Sequence, residues 1–184
     1  MVSSSRPETA APSEIVDLRA AIASIPDPEV PVITISDLGI LREVLVDETA
    51  RTVNVLITPT YSGCPAMEAI RQHIEHVARR EGYTAKVQTR LSPAWTTDWM
   101  SETGRENLRR FGIAPPGQRS DQRSDQSADL VSQPVGVSLT VRRVTCPLCG
   151  SPDTEEISRF GSTACKALRR CKECHEPFDE FKTI

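Results

Sequence analysis

An α+β fold, a small sheet with packed helices followed by a four-cysteine module of the zinc-ribbon kind, is the architecture this sequence predicts. Three observations predict it. Helical and strand-like apolar spacings alternate between residues 13 and 115, a polar tandem repeat then interrupts the chain, and two Cys-x-x-Cys pairs close it. With 184 residues, 38% hydrophobic and 26% charged, the chain has the apolar content for one packed domain and a small satellite.

Residues 1–12, rich in Ser, Pro, Thr and Ala, offer nothing to bury and are expected to be a disordered tail. Ile15, Leu18, Ile22 and Ile25 then recur at spacings of three and four, which predicts a helix, and Pro26, Pro28 and Pro31 end it. LREVLVDE and RTVNVLITPT alternate β-branched and polar residues about a turn at Glu48–Arg51, as a hairpin does. After TYSGCP, one helical face carries Ile70, Ile74, Val77 and Ala78, and Gly82 stands where a cap is expected. AKVQTRLS reads as a third strand, and SETGRENLRRF as a closing helix ended by Gly112. The predicted order over residues 13–115 is therefore α-β-β-α-β-α. Residues 116–134 contain RSDQRSDQ and almost nothing apolar, which predicts a flexible linker, and the ribbon occupies residues 135–184.

Charge narrows the partners. A net charge of −3 and a pI near 5.7 give no long-range attraction to phosphate backbones or anionic lipid. From residue 136 onward eight Lys or Arg face seven Asp or Glu, and four thiolates around a zinc ion add negative charge, so nucleic acid is not an expected partner. No run approaches a membrane span, and the N-terminus lacks the apolar core of a signal peptide, so a cytoplasmic location is expected. In a reducing compartment the six cysteines read as metal ligands or reactive thiols rather than disulfides.

The strongest chemical signal is Cys146-Pro-Leu-Cys149 followed by Cys171-Lys-Glu-Cys174. Two short turns, each presenting two thiolates, are what a tetrahedral zinc ion joins, although four thiolates also hold iron–sulfur clusters. Cys165, in FGSTACKA, is near the second pair in sequence and reads either as an additional ligand or as a small buried hydrophobe. Cys64 precedes Pro65 at a helix start, where free N–H groups favour a thiolate, so a nucleophilic or metal-binding thiol is expected. Asp27 and Glu29, in DPEVP, present carboxylates from a stiff loop, a pattern that suits a metal or partner site and equally a helix-end cap. His73 and His76 belong to a solvated helix face. Trp95 and Trp99 are either a core plug or anchors of a protein interface. No His-Ser-Asp set, Gly-rich phosphate loop or paired-carboxylate motif appears, so no catalysis of its own is expected.

The segments DPEVPVITISDLG, TYSGCPA, PAWTTDWM and FGSTACKAL with the following Arg-Cys resemble the PaaD family of bacterial phenylacetate degradation. The resemblance spans nearly everything except the tail and the linker. Asp27–Pro31 and the residues around Cys64 also resemble the broader SufT-like family of iron–sulfur assembly proteins, over the first domain alone. What the resemblance implies is an accessory subunit of a multicomponent monooxygenase, the 1,2-phenylacetyl-CoA epoxidase, that helps to mature the cluster of its reductase subunit. The alternative is a docking subunit of the oxygenase complex. On the first reading Cys64, with Asp27 or Glu29, holds iron or an iron–sulfur cluster transiently, shared across a homodimer or with the client. The zinc module, Trp95 and Trp99 then dock the reductase and oxygenase subunits. Arg169 stands where a tyrosine is common in that family, a difference expected to alter docking.

Overall fold

The computed structural model describes residues 13–117 and 143–183; the expected tail, nearly all of the linker and the start of the ribbon lie outside the described residues. Helix α1 (Ser13–Ala23) stops before Pro26, which has no N–H to continue it. The following loop closes on itself. The Asp27 N–H donates to the Ile33 carbonyl at 2.9 Å and the Ile35 N–H to that of Ile25 at 2.9 Å, while Val30, Ile33, Ile35 and Leu38 enter the core.

Strands β1 (Leu41–Asp47) and β2 (Thr52–Ile57) form the expected hairpin. Strand β3 (Thr84–Thr89) lies parallel to β2, so the chain must cross over the sheet between them, and helix α2 (Ala66–Arg80) is that crossover. The sheet order is β1-β2-β3, with Val53, Val55 and Ile57 buried at alternate positions of the central strand. Ala66, Ile70, Ile74 and Ala78 form the stripe of α2 that covers them, and His73 and His76 are exposed on its other side. Gly82, with φ +79°, takes the left-handed conformation that ends this helix. A short 3₁₀ turn at Thr97–Trp99 precedes helix α3 (Glu102–Arg110), whose first turn Ser101 caps by accepting from the Gly104 N–H. A β-carbon at Gly39 would meet the Trp99 carbonyl oxygen at 2.6 Å, so only glycine lets these two backbones touch.

The second sheet departs from a self-contained ribbon. Its order is β4-β7-β6-β5, from Ile113–Ala114, Pro177–Phe181, Lys166–Cys171 and Thr154–Ser158 respectively. The edge strand β4 belongs to the stretch expected to finish the first domain, yet it pairs in parallel with β7. The packing crosses the same boundary. Cys165 and Phe181 are buried in the core that holds Leu18, Ile22, Ile57 and Ile70, whereas Cys146, Cys171 and Phe178 belong to a separate small core under the ribbon.

Trp95 is the pin between the two units, so of the two readings left open for the tryptophans it takes that of a core plug, not of a docking anchor. Its ring lies 6.2 Å from that of Phe181, its N–H donates to the Leu38 carbonyl at 3.0 Å, and it is 3% exposed, so no partner can reach it. Trp99 is partly buried beneath the Arg42 guanidinium, 3.7 Å from its ring centroid. No helix among the described residues is long and apolar enough to cross a membrane.

Because Phe181 is fully buried in the shared core, Phe181→Ala is expected to cost about 3–5 kcal/mol and to lower a single transition that tryptophan fluorescence and far-UV circular dichroism report together. Two urea transitions, of which only one moves, would show that the units do not share a core.

Candidate metal centres

The ribbon builds its first centre from two backbone knuckles. In one, the Gly150 N–H donates to the Cys146 carbonyl at 2.9 Å and the Cys146 N–H to that of Ser151 at 2.9 Å, with Gly150 at φ +78°. In the other, the Cys171 N–H donates to the Glu176 carbonyl at 3.1 Å and His175 takes φ +63°. The turns bring Cys146 Sγ to 3.9 Å from Cys174 Sγ and Cys149 Sγ to 3.5 Å from Cys171 Sγ. All four Sγ atoms lie within 4.8 Å of one another. A tetrahedron with Zn–S bonds of about 2.3 Å has edges of about 3.8 Å, so the thiols already stand where zinc requires them. The Cys174 backbone N–H, acting against burial, holds the Cys171 thiol down at about 7. Cys149, despite the Ser151 N–H, is pushed up to about 12 by its hydrogen bond to Cys171 and by burial, so the set shares its protons unequally until a metal takes their place. Four ligands close the coordination shell, so the ion crosslinks two turns and offers no position for a substrate. The ribbon needs that crosslink. Ala114, Val144 and Phe178 are the only buried apolar residues around Cys146 and Cys171 in its own core among the described residues.

The second centre lies where α1, α2 and the ribbon meet. Asp27 is buried, and its Oδ1 accepts from the Glu29 and Val30 N–H groups at 2.9 Å each, so this carboxylate shapes the DPEVP turn. Burial, outweighing both N–H groups and Lys166, holds its carboxyl above the usual range. Glu29 follows on the same turn, partly exposed. Cys64 stands just before Pro65 and α2, half-buried against the main core, with its carbonyl accepting from the Met67 N–H.

One sequence expectation is corrected here, and of the two readings left open for Cys165 the buried one holds. The Cys64 thiol is not activated by the helix start: burial pushes it up to about 11 although the Ala66 N–H pulls the other way, and Glu29, Asp27 and Cys165 add to the rise. Cys165 is not beside the four-cysteine set. Its Sγ lies 3.8 Å from Glu29 Oε2 and 3.1 Å from Thr163 Oγ1, and it is buried in the first unit's core. Asp27, Glu29, Cys64 and Cys165 therefore share one electrostatic neighbourhood, which also reaches Tyr61: burial first, then Cys64, Glu29 and Cys165, raise its hydroxyl. Nothing in the sequence singles out Tyr61, Thr163 and Lys166 except adjacency to Cys64 and Cys165. Arg169 pairs with the buried Glu180 at 2.9 Å across β6 and β7.

A small α/β unit fused through shared packing to a four-cysteine ribbon is the class of metalloprotein that this fold and the four-cysteine centre define. Comparison with known proteins agrees with both halves. Residues 15–88 match the family described as "Iron-sulfur cluster assembly protein", and residues 132–182 match the "PaaD zinc beta ribbon domain". The chain is 45% identical over 177 residues to an Escherichia coli (strain K12) protein named as a putative subunit of 1,2-phenylacetyl-CoA epoxidase, covering 96% of this chain and 97% of that one. It belongs to the PaaD family of phenylacetyl-CoA epoxidase subunits, and the four-cysteine centre is that family's zinc site. Among solved structures, a Bacillus anthracis domain of unknown function aligns at 25% identity and a TM-score of 0.46, covering 52% of this chain and 92% of its own. A Mycobacterium tuberculosis protein titled as associated with Fe-S complex assembly and repair aligns at 28% identity and a TM-score of 0.33, covering 59% and 96%.

Because the folded protein holds the Asp27 proton more tightly than the unfolded chain does, the stability this residue contributes is greatest below the ordinary value of 3.8 and falls as pH rises through the raised one. Asp27→Asn keeps the Oδ1 acceptor without ionising. In iron-free protein its urea midpoint is therefore expected to gain on wild type between pH 4 and pH 7, whereas Asp27→Ala, which strands two N–H groups, costs about 1–3 kcal/mol at either pH. A wild type to Asn difference that does not change with pH would contradict this account.

Proposed function

We propose that this chain is a non-enzymatic accessory subunit of a phenylacetyl-CoA epoxidase system, and that its Cys64 centre carries iron or an iron–sulfur cluster toward the reductase subunit. The observation that carries the reading is that Glu29 and Asp27 act electrostatically on Cys64 within the unit that matches the iron–sulfur assembly family. The name of the Escherichia coli relative supports the pathway and the multisubunit setting. The chemistry is ligand exchange. Cys64 gives up its proton when the metal arrives, and because burial makes that proton costly to remove, the thiol reclaims it when the client's thiolates take the metal. A centre that releases cargo needs ligands for which protons compete and a shell left open, whereas the four thiolates of the ribbon close around their ion and keep it. Asp27 shapes the turn that presents Glu29, and the exposed flank of Trp99 with the ribbon surface forms the docking side for reductase and oxygenase.

One observation favours the second reading, a docking subunit with no cargo: both hydrogen bonds of Asp27 Oδ1 are already used within its own turn. Zinc and iron per chain in anaerobically purified wild type and Cys64→Ser separate the two. The carrier reading predicts about one zinc in both proteins and iron in wild type alone. Zinc alone in both would leave the docking subunit.

A further inference from the structure

The ribbon closes the Cys64 centre rather than standing apart from it. Cys165 lies on the turn that opens β6, and that turn is fixed at two points: the Lys182 N–H donates to the Cys165 carbonyl at 2.9 Å and the Lys166 N–H to that of Thr163 at 3.1 Å. Cys165 is buried in the main core, yet its sulfur is not surrounded by apolar atoms alone. This sulfur, on a side chain only 5% exposed, also makes polar contacts: it lies 3.1 Å from Thr163 Oγ1, and its S–H donates to Glu29 Oε2 at 3.8 Å. The second distance has a chemical meaning. A thiolate and a carboxylate bound to one tetrahedral ion, with bonds of about 2.3 and 2.1 Å, stand about 3.6 Å apart. Cys64 packs against the same core cluster from the start of α2.

We infer that Cys165 is the second thiolate of the Cys64 centre, so that Cys64, Cys165 and Glu29 form one binding site for a thiophilic divalent cation across the junction of the two units. This rests on the reading of Cys64 as a metal-carrying residue. Two sulfurs and one carboxylate select borderline-soft ions such as ferrous iron, cobalt or zinc over magnesium or calcium. Three protein ligands leave a fourth position open, as an exchangeable site requires and the closed four-cysteine set does not provide. Among the described residues, that closed set is the one group of three or more ligand side chains already gathered around a single point. Metal binding at the second centre therefore draws the Cys64 and Glu29 side chains inward onto the fixed Cys165.

The test is an anaerobic cobalt(II) titration of the full-length, zinc-loaded protein, read by thiolate-to-cobalt charge-transfer absorption. One cobalt beyond the zinc is expected. Cys165→Ser and Cys64→Ser should each lower the charge-transfer intensity per bound cobalt by about half and weaken binding on the order of 10-fold or more. Glu29→Gln should weaken binding at unchanged intensity. Retention of one zinc per chain reports that each variant is folded. Unchanged intensity and affinity in Cys165→Ser, with loss in Cys64→Ser, would overturn the inference and leave the carrier reading standing. No cobalt beyond the zinc in wild type would overturn both. Should Cys165→Ser shed its zinc, the wild-type protein and Cys64→Ser decide: intensities of two thiolates and one support the site, and one and none refute it.

Discussion

Strand β6 is the constraint on which the rest of the structure depends. It starts directly after Cys165 and ends at Cys171, so a single strand joins the buried thiol of the first unit to a ligand of the zinc ribbon, across about 20 Å. Both of its edges are occupied, by β5 and by β7, so it cannot slide in register without breaking two ladders. Ion pairs fix that register further. Lys166, itself buried, lies 3.4 Å from Asp179, and Arg169 lies 2.9 Å from Glu180. Buried pairs of this kind add little net stability, but each charge left unpaired by a slipped strand would be costly, which makes them devices of specificity.

The four-cysteine centre and the surroundings of Cys64 differ in how far the fold arranges their ligands in advance. In the ribbon, knuckle geometry sets sulfur–sulfur spacings close to a tetrahedral edge and aims backbone N–H groups at Cys171, so the ligands are arranged before the ion arrives. At Cys64 burial and neighbouring negative charge work against the thiolate, and the ion must supply the compensation. The first arrangement suits a permanent crosslink and the second an ion that comes and goes. On the proposed function, one chain holds a structural metal in its ribbon and uses the Cys64 region for exchange.

Local patterns make much of this legible in the sequence. The spacing of Leu18 with Ile22 and of Ile70 with Ile74, the alternation about Glu48–Arg51, and the two Cys-x-x-Cys pairs each specify their element through neighbours a few residues away. What escapes depends on distant partners. Strand β4 has two residues, too few for any periodicity, and exists only because β7 offers an edge. The pairing of Trp95 with Phe181 joins residues 86 positions apart, and the approach of Cys165 to Glu29 joins residues 136 apart. One clue to the latter is present: four thiolates complete a zinc shell, so a fifth cysteine in the ribbon has no ligand position left there. The charge state of Cys64 escapes for a related reason, since the helix start is local and visible whereas the burial that overrides it is tertiary.

If β6 transmits order from the zinc to the Cys64 centre, removing the zinc must loosen a loop that no zinc ligand touches. Amide hydrogen exchange on zinc-loaded and zinc-stripped protein measures this directly. The account predicts that the Glu29 and Val30 N–H groups, held by Asp27 Oδ1, lose protection by on the order of 10-fold or more together with the ribbon, while the β1–β2 hairpin is unchanged. Loss of protection confined to residues 143–183, with Glu29 and Val30 unaffected, would contradict it.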